Sequence, residues 1–184
     1  QLSWQGLARV RDKANISYAE TGTNESFNNT LTKVIEQSPN LIWSLDGSTA
    51  DKIKEIAGEN PNISFVVTDA FFEESSQNLT GLTFRSQEAS FLAGYIAANT
   101  AKNGIIGFIG GYNEPVIHQF ERGYIQGAKY ANPNIHIISN YCGTFSDREK
   151  GKQLAEQQYE NGAEVIFQAA GSSGLGVIQA AKNM

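Results

Sequence analysis

Three places in the 184-residue sequence carry side chains in patterns suited to binding. Asp69 follows the apolar run Phe65-Val66-Val67 and precedes Ala70-Phe71-Phe72, so a carboxylate stands where a buried strand ends, among aromatic rings. In a parallel α/β sheet ligands meet the carboxyl ends of the strands, which makes this the first position to inspect. A cap on the next segment, or a place in a solvated loop, would use the same residue type. The second place is Phe167 to Gly176 (FQAAGSSGLG), where a strand runs through Gly171-Ser172-Ser173-Gly174 into a helix. Free backbone N–H groups and two hydroxyls there suit an anion or a ring of hydroxyls, and a plain glycine-assisted turn has the same spacing. The stretch is neither a phosphate-cradling loop followed by Lys nor the dinucleotide G-x-G-x-x-G pattern. Gly110-Gly111-Tyr112-Asn113, between a strand and the helix opened by Pro115, is the third place and has the same two readings.

Groups for covalent or metal chemistry do not assemble. His118 falls on a helix and His136 on a strand, neither within a metal spacing such as H-E-x-x-H, and His118 reads as a helix-surface residue. No G-x-S-x-G elbow occurs, and Cys142 has no motif-linked base, so a buried inert thiol is expected. The formal net charge of −5 argues against nucleic acid as the main partner, which would call for a basic footprint. With 40% hydrophobic and 18% charged residues the composition is globular, and a single Cys excludes an intrachain disulfide scaffold. No apolar run approaches the roughly 18 residues of a spanning helix. No cofactor is expected.

The elements that must position these groups are legible from periodicity. Continuous apolar runs predict parallel strands covered on both faces at Ile16–Ala19, Leu41–Leu45, Ile63–Val67, Gly81–Phe84, Ile105–Ile109, Ile135–Tyr141 and Val165–Ala169. Amphipathic stretches lie between them. Phe27, Leu31, Val34 and Ile35 share one helical face behind Asn24 as N-cap. Ser48 with Asp51, and Ser146 with Glu149, read as capping boxes. Strand–helix–strand alternation with short joins predicts βαβ units and a mainly parallel sheet. The helix from Gln87 to about Lys102 has a small-residue face (Ala89, Ala93, Gly94, Ala97, Ala98), so it is expected to pack closely against a sheet or another helix, either as an ordinary crossover or as a passage between two lobes. Both ends fall inside helical patterns, at Gln1–Ala14 and Gly176–Met184, as expected of an internal segment of a longer protein.

The run Phe84-Arg85-Ser86-Gln87-Glu88-Ala89-Ser90-Phe91-Leu92-Ala93-Gly94-Tyr95 resembles the F-x-x-x-E-x-S-F-L-A-G signature of the basic-membrane-protein family, the PnrA-like nucleoside-binding lipoproteins of ABC importers. Val67–Ala70, Gly107–Gly111, Phe120–Ala128, Thr144–Asp147 and Val165–Gly171 agree with the family in order and spacing. The resemblance implies an α/β type I periplasmic-binding-protein fold with two Rossmann-like lobes, residues 1–102 mostly in the first and 103–184 mostly in the second. A nucleoside, most readily a purine one, would be held in the cleft and delivered to an importer permease. The resemblance makes Asp69 the residue that meets the base, Phe167 the ring that stacks on it, and Gly171 the point of close approach. Ser172, Gly47 and Asn113 join them as ligand-binding candidates. A second stacking Phe and a ribose-binding Asp would belong to family segments outside this sequence. Location would be extracytoplasmic, with the membrane reached through a lipid anchor outside these residues, and no enzymatic activity is implied. Trp43-Ser44-Leu45-Asp46-Gly47-Ser48-Thr49 departs from the family's usual loop and bears on which base or sugar is accepted. A ligand-sensing domain of a regulator, and a nucleoside-processing enzyme, are the competing readings.

Overall fold

The structure is a computed structural model and describes residues 2–21, 24–74 and 76–184. Its elements run α1 (Leu2–Ala8), α2 (Asn24–Glu36), β1 (Leu41–Ser44), a 3-10 turn (Gly47–Thr49), α3 (Ala50–Glu59), β2 (Ser64–Thr68), β3 (Leu79–Leu82), α4 (Ser86–Thr100), β4 (Ile105–Gly110), α5 (Pro115–Ala131), β5 (His136–Tyr141), α6 (Arg148–Glu160), β6 (Val165–Ala169) and α7 (Gly174–Lys182). They form two compact units, residues 1–84 and residues 85–184.

In the first unit three parallel strands lie in the order β1-β2-β3. The apolar stripe of α2 (Phe27, Leu31, Ile35) and that of α3 (Ile53, Ile56, Ala57) cover Phe65 and Val67, which are fully buried. Alternation along a strand sends its other side chains to the opposite face, where Trp43 keeps 39% of its surface open and donates from Nε1 to Thr68 Oγ1 at 2.9 Å. The second unit has parallel strands in the order β5-β4-β6. Its core has one layer around Phe108 and Tyr124, and another around Ile109, Ala155 and Val177, so helices cover both faces.

Six of the seven predicted strands are present within a few residues of their expected bounds. Ile16–Ala19 is not a strand, because this short segment pairs with no described strand and leaves Tyr18 largely exposed. The side chain of Asn24 lies outside the described residues. The caps also differ from expectation. Asp46, not Ser48, caps the turn ahead of α3 by accepting from Ser48 N at 2.9 Å. Asp147, not Ser146, caps α6 by accepting from Lys150 N at 2.9 Å. In both cases a carboxylate outcompetes the neighbouring hydroxyl as acceptor at a positive helix end.

The unit division falls after Phe84, ahead of the change expected at residues 102/103, because α4 packs on α5. Glycines make this possible. A Cβ added to Gly94 would sit 1.9 Å from the Tyr124 carbonyl oxygen, and one on Gly127 would sit 1.8 Å from that of Phe91. A methyl group cannot enter either place without driving the helices apart, and overpacking of this kind costs about 1–3 kcal/mol. Gly127→Ala is therefore expected to lower unfolding free energy by about that amount, despite alanine's better helix propensity. Gly58→Ala on α3, where nothing lies within 4 Å, is expected to gain about 0.5–1 kcal/mol. Urea denaturation of the two variants checks both signs.

Candidate functional site

β2 delivers Asp69 to the carboxyl end of the first sheet. Its backbone turns left-handed there, with φ 57°, and its N–H donates to the Leu82 carbonyl at 2.7 Å. A non-glycine residue with positive φ carries local strain, which Asp tolerates better than most. Gly47 is brought to the same point: a Cβ on it would stand 2.6 Å from the Asp69 carbonyl oxygen. The turn that holds Gly47 is locked by Ser44 Oγ against Thr49 Oγ1 at 2.7 Å, by Thr49 Oγ1 donating to the Asp46 carbonyl at 2.6 Å, and by the Asp46 cap. Partial burial, and secondarily the Asp46 carboxylate, push the Asp69 pKa above its ordinary value of 3.8.

In the second unit the loops leaving β4 and β6 diverge, one into α5 against the Phe108 layer and one into α7 against the Val177 layer. Such a switch point opens a crevice at the carboxyl edge of a parallel sheet. Asn113, Gly171 and Ser172 all lie in these two loops. Asn113 Oδ1 stands 2.5 Å from His118 Nε2, so His118 has a partner at the strand ends beyond the plain surface role expected of it. Gly171 has φ 55° and lies against Phe145, whose carbonyl oxygen would be 3.2 Å from an added Cβ. Ser172 is exposed at the start of α7, while Ser173 is fully buried and donates from Oγ to the Thr144 carbonyl at 3.2 Å.

Phe167 is placed differently from the other candidates. Its ring stacks on Tyr124 at 5.2 Å and 27°, with Phe108 at 6.0 Å, half-buried against the core layer of α5. In the second unit Phe145 and Tyr112, which sequence reasoning passed over, also offer aromatic surface at the strand ends. Their rings meet edge to face at 5.2 Å and 75°, and they keep 36% and 45% of their surface open. A Cβ on Gly111 would reach within 2.1 Å of the Phe145 ring, so glycine is required to seat it. The available signal was an aromatic residue between the end of β5 and the α6 cap. Nearby, Tyr141 donates to Glu121 Oε2 at 2.6 Å, and burial with that carboxylate pushes its hydroxyl pKa far up.

The first unit offers a carboxylate at its strand ends, and the second offers ring faces and an amide at its own. Burial pushes the Cys142 thiol pKa up, away from the reactive thiolate. Among the described residues no group of three or more His, Cys, Asp or Glu is placed to hold a metal ion. No helix among them is long and apolar enough to cross a membrane.

Comparison with known proteins gives the family. A family model, Bmp, described as ABC transporter substrate-binding protein PnrA-like, matches residues 1–184. The chain belongs to the Bmp family. Basic membrane protein D of Borreliella burgdorferi (strain JD1) is 37% identical over 187 residues, covering 100% of this chain and 55% of that protein. Basic membrane protein B of Borreliella burgdorferi (strain ATCC 35210) is 40% identical over 171 residues, covering 91% and 50%. The Bmp chain thus spans about half the length of the curated relatives it matches. A solute-binding protein of an ABC transporter system from Aeropyrum pernix K1 superposes with a TM-score of 0.88 at 24% identity, over 99% of this chain and 53% of that one. A transcriptional activator of the comK gene from Bacillus halodurans gives 0.79 at 20% identity, over 98% and 63%. The Bmp chain has the type I periplasmic-binding-protein fold, and its family is a substrate-binding family, not an enzyme family.

The Asp69 environment has a measurable consequence. A carboxyl whose pKa is raised on folding contributes stability that is fully present below the unfolded value of 3.8 and is lost as the pH rises through the folded value. At pH 7 the ionised side chain therefore works against folding. Asp69→Asn, whose amide also tolerates positive φ, is expected to raise the melting temperature of the unliganded protein at neutral pH. The advantage should narrow as the pH is lowered toward 3.8. Thermal melts of both proteins across that range check the sign and the narrowing.

Proposed function

We propose that the full-length protein is the capture component of an ABC importer. It takes a purine nucleoside outside the cytoplasm, from a lipid-anchored position, and delivers it to a permease. The ligand-binding candidates are Asp69 and Gly47 within residues 1–84, and Phe145, Asn113, Gly171 and Ser172 within residues 85–184. The observation that carries this reading is Phe145, a ring left accessible at the β4–β6 switch point and seated by Gly111. A flat base needs a ring face of this kind, and its polar edge needs a fixed carboxylate such as Asp69. We assign the stacking role to Phe145 in preference to Phe167, because one face of the Phe167 ring is already taken by Tyr124. Binding and release require domain closure and no bond chemistry. The similarity to a transcriptional activator, at 20% identity, speaks to the fold alone and brings no sensing role with it.

Calorimetry of the full-length protein with inosine, guanosine and adenosine tests the proposal. Phe145→Leu is expected to weaken nucleoside binding by about 1–3 kcal/mol, the range for losing a stacked ring, with little change in melting temperature. Phe167→Leu should do the reverse, lowering the melting temperature and sparing affinity. Absence of binding to all three nucleosides would overturn the reading. A loss of affinity confined to Phe167→Leu would return the stacking role to that residue.

A further inference from the structure

The contact between Asn113 and His118 decides which polar atoms of Asn113 remain for a ligand. α5 begins at Pro115, behind Glu114 as a cap whose side chain makes no capping bond. Asn113 is then the residue before the cap, and His118 the fourth residue of the helix, with its N–H on the Glu114 carbonyl at 3.0 Å. These are the two positions at which apolar side chains often clasp one another and fix the angle at which a chain enters a helix. Here a polar pair does so, with His118 Nε2 at 2.5 Å from Asn113 Oδ1. The imidazole is held in its turn. Its ring meets Tyr141 edge to face at 6.1 Å and 82°, and Tyr141 donates to Glu121 Oε2 at 2.6 Å. Asn113 itself is exposed, its Oδ1 is used by His118, and its Nδ2 has no partner among the described residues.

We propose that His118 is a positioning residue that makes Asn113 a hydrogen-bond donor to the ligand, and that the atom Asn113 reads is an acceptor on the edge of the base. This rests on the nucleoside reading above. An Asn side chain offers one oxygen acceptor and two N–H donors, so occupying Oδ1 leaves only the donors. The base is the part of the ligand addressed, because Asn113 follows Tyr112, whose ring meets Phe145 at 5.2 Å, and Phe145 is the ring assigned to stacking. A purine edge carries acceptors at N7, at N3 and, in inosine and guanosine, at O6. Nε2 of His118 must bear a proton for this, as it does in one neutral tautomer and in the imidazolium. Glu114, Glu121 and Arg122 lie within about a turn of His118 on α5. Whatever charge they favour on the ring, either of these forms donates from Nε2 to the same oxygen.

Calorimetry of the full-length protein with inosine, and with analogues of inosine in which N7 is replaced by carbon, N3 is replaced by carbon, or O6 is absent, tests this. Asn113→Asp still accepts from His118 but has no side-chain N–H, so inosine affinity is expected to fall by about ten- to a hundredfold. For the analogue that lacks the acceptor, wild type and Asn113→Asp should differ far less. His118→Phe keeps a ring against Tyr141 and frees the amide to turn, so it should narrow the preference for inosine over that analogue by about two- to tenfold. His118→Gln, whose amide can donate again, should restore the preference. Nitrogen NMR of His118 reads the tautomer directly, and Nε2 is expected to be protonated at neutral pH. If His118→Phe fails to fold, that spectrum decides the same point. An unprotonated Nε2, an Asn113→Asp protein that binds inosine like wild type, or an equal loss for inosine and all three analogues would overturn the inference and leave the nucleoside reading standing. A wild type that binds none of the four compounds would overturn both.

Discussion

Direct contact between the backbones of α4 and α5 is the constraint on which the second unit depends. Gly94, Gly123 and Gly127 present bare Cα atoms where the other helix brings its carbonyl groups, at distances no Cβ could occupy. With no side chains between them the helices cross close together, and Tyr124 is pressed onto the sheet against Phe108 and Phe167. The buried rings then fix the height of α5 above the sheet, and with it the loop that carries Tyr112 and Asn113. Interiors packed at this density transmit displacement instead of absorbing it. A small change between the helices is therefore felt at the strand ends.

The same device recurs at other close approaches between segments. Gly47 lies on Asp69, Gly81 on Ala70, Gly111 on the Phe145 ring and Gly151 on Ser173. Several of these are strand-end loops, where ligand-facing groups must be held without flexible packing to support them. Polar groups there are fixed by short hydrogen bonds: Asp46 to Ser48, Trp43 to Thr68, His118 to Asn113 and Tyr141 to Glu121. Each restricts a side chain before any ligand arrives, which reduces the ordering cost that binding would otherwise carry. Asp69 departs from this economy. Its positive φ and raised pKa both disfavour the folded, ionised state, a combination typical of residues kept for binding more than for stability.

The sequence by itself determined the α/β class, six of the strands and the helical stripes that cover them, because burial on two faces writes continuous apolar runs and burial on one face writes a helical period. It also marked Asp69 and the glycine-rich loops, since a strand followed by turn residues announces its own end. The family was legible too, because motifs in fixed order survive when single residues change. Tertiary structure decided the rest. Whether Phe167 or Phe145 offers a free ring depends on which neighbours arrive from α5 and from the β4 loop, and no local pattern records that. The same holds for the partner of α4, whose small-residue face announces a close packing without saying against which element. Local sequence sets what each segment is able to form, and only the meeting of distant segments decides which surfaces are used up in packing and which remain for a ligand.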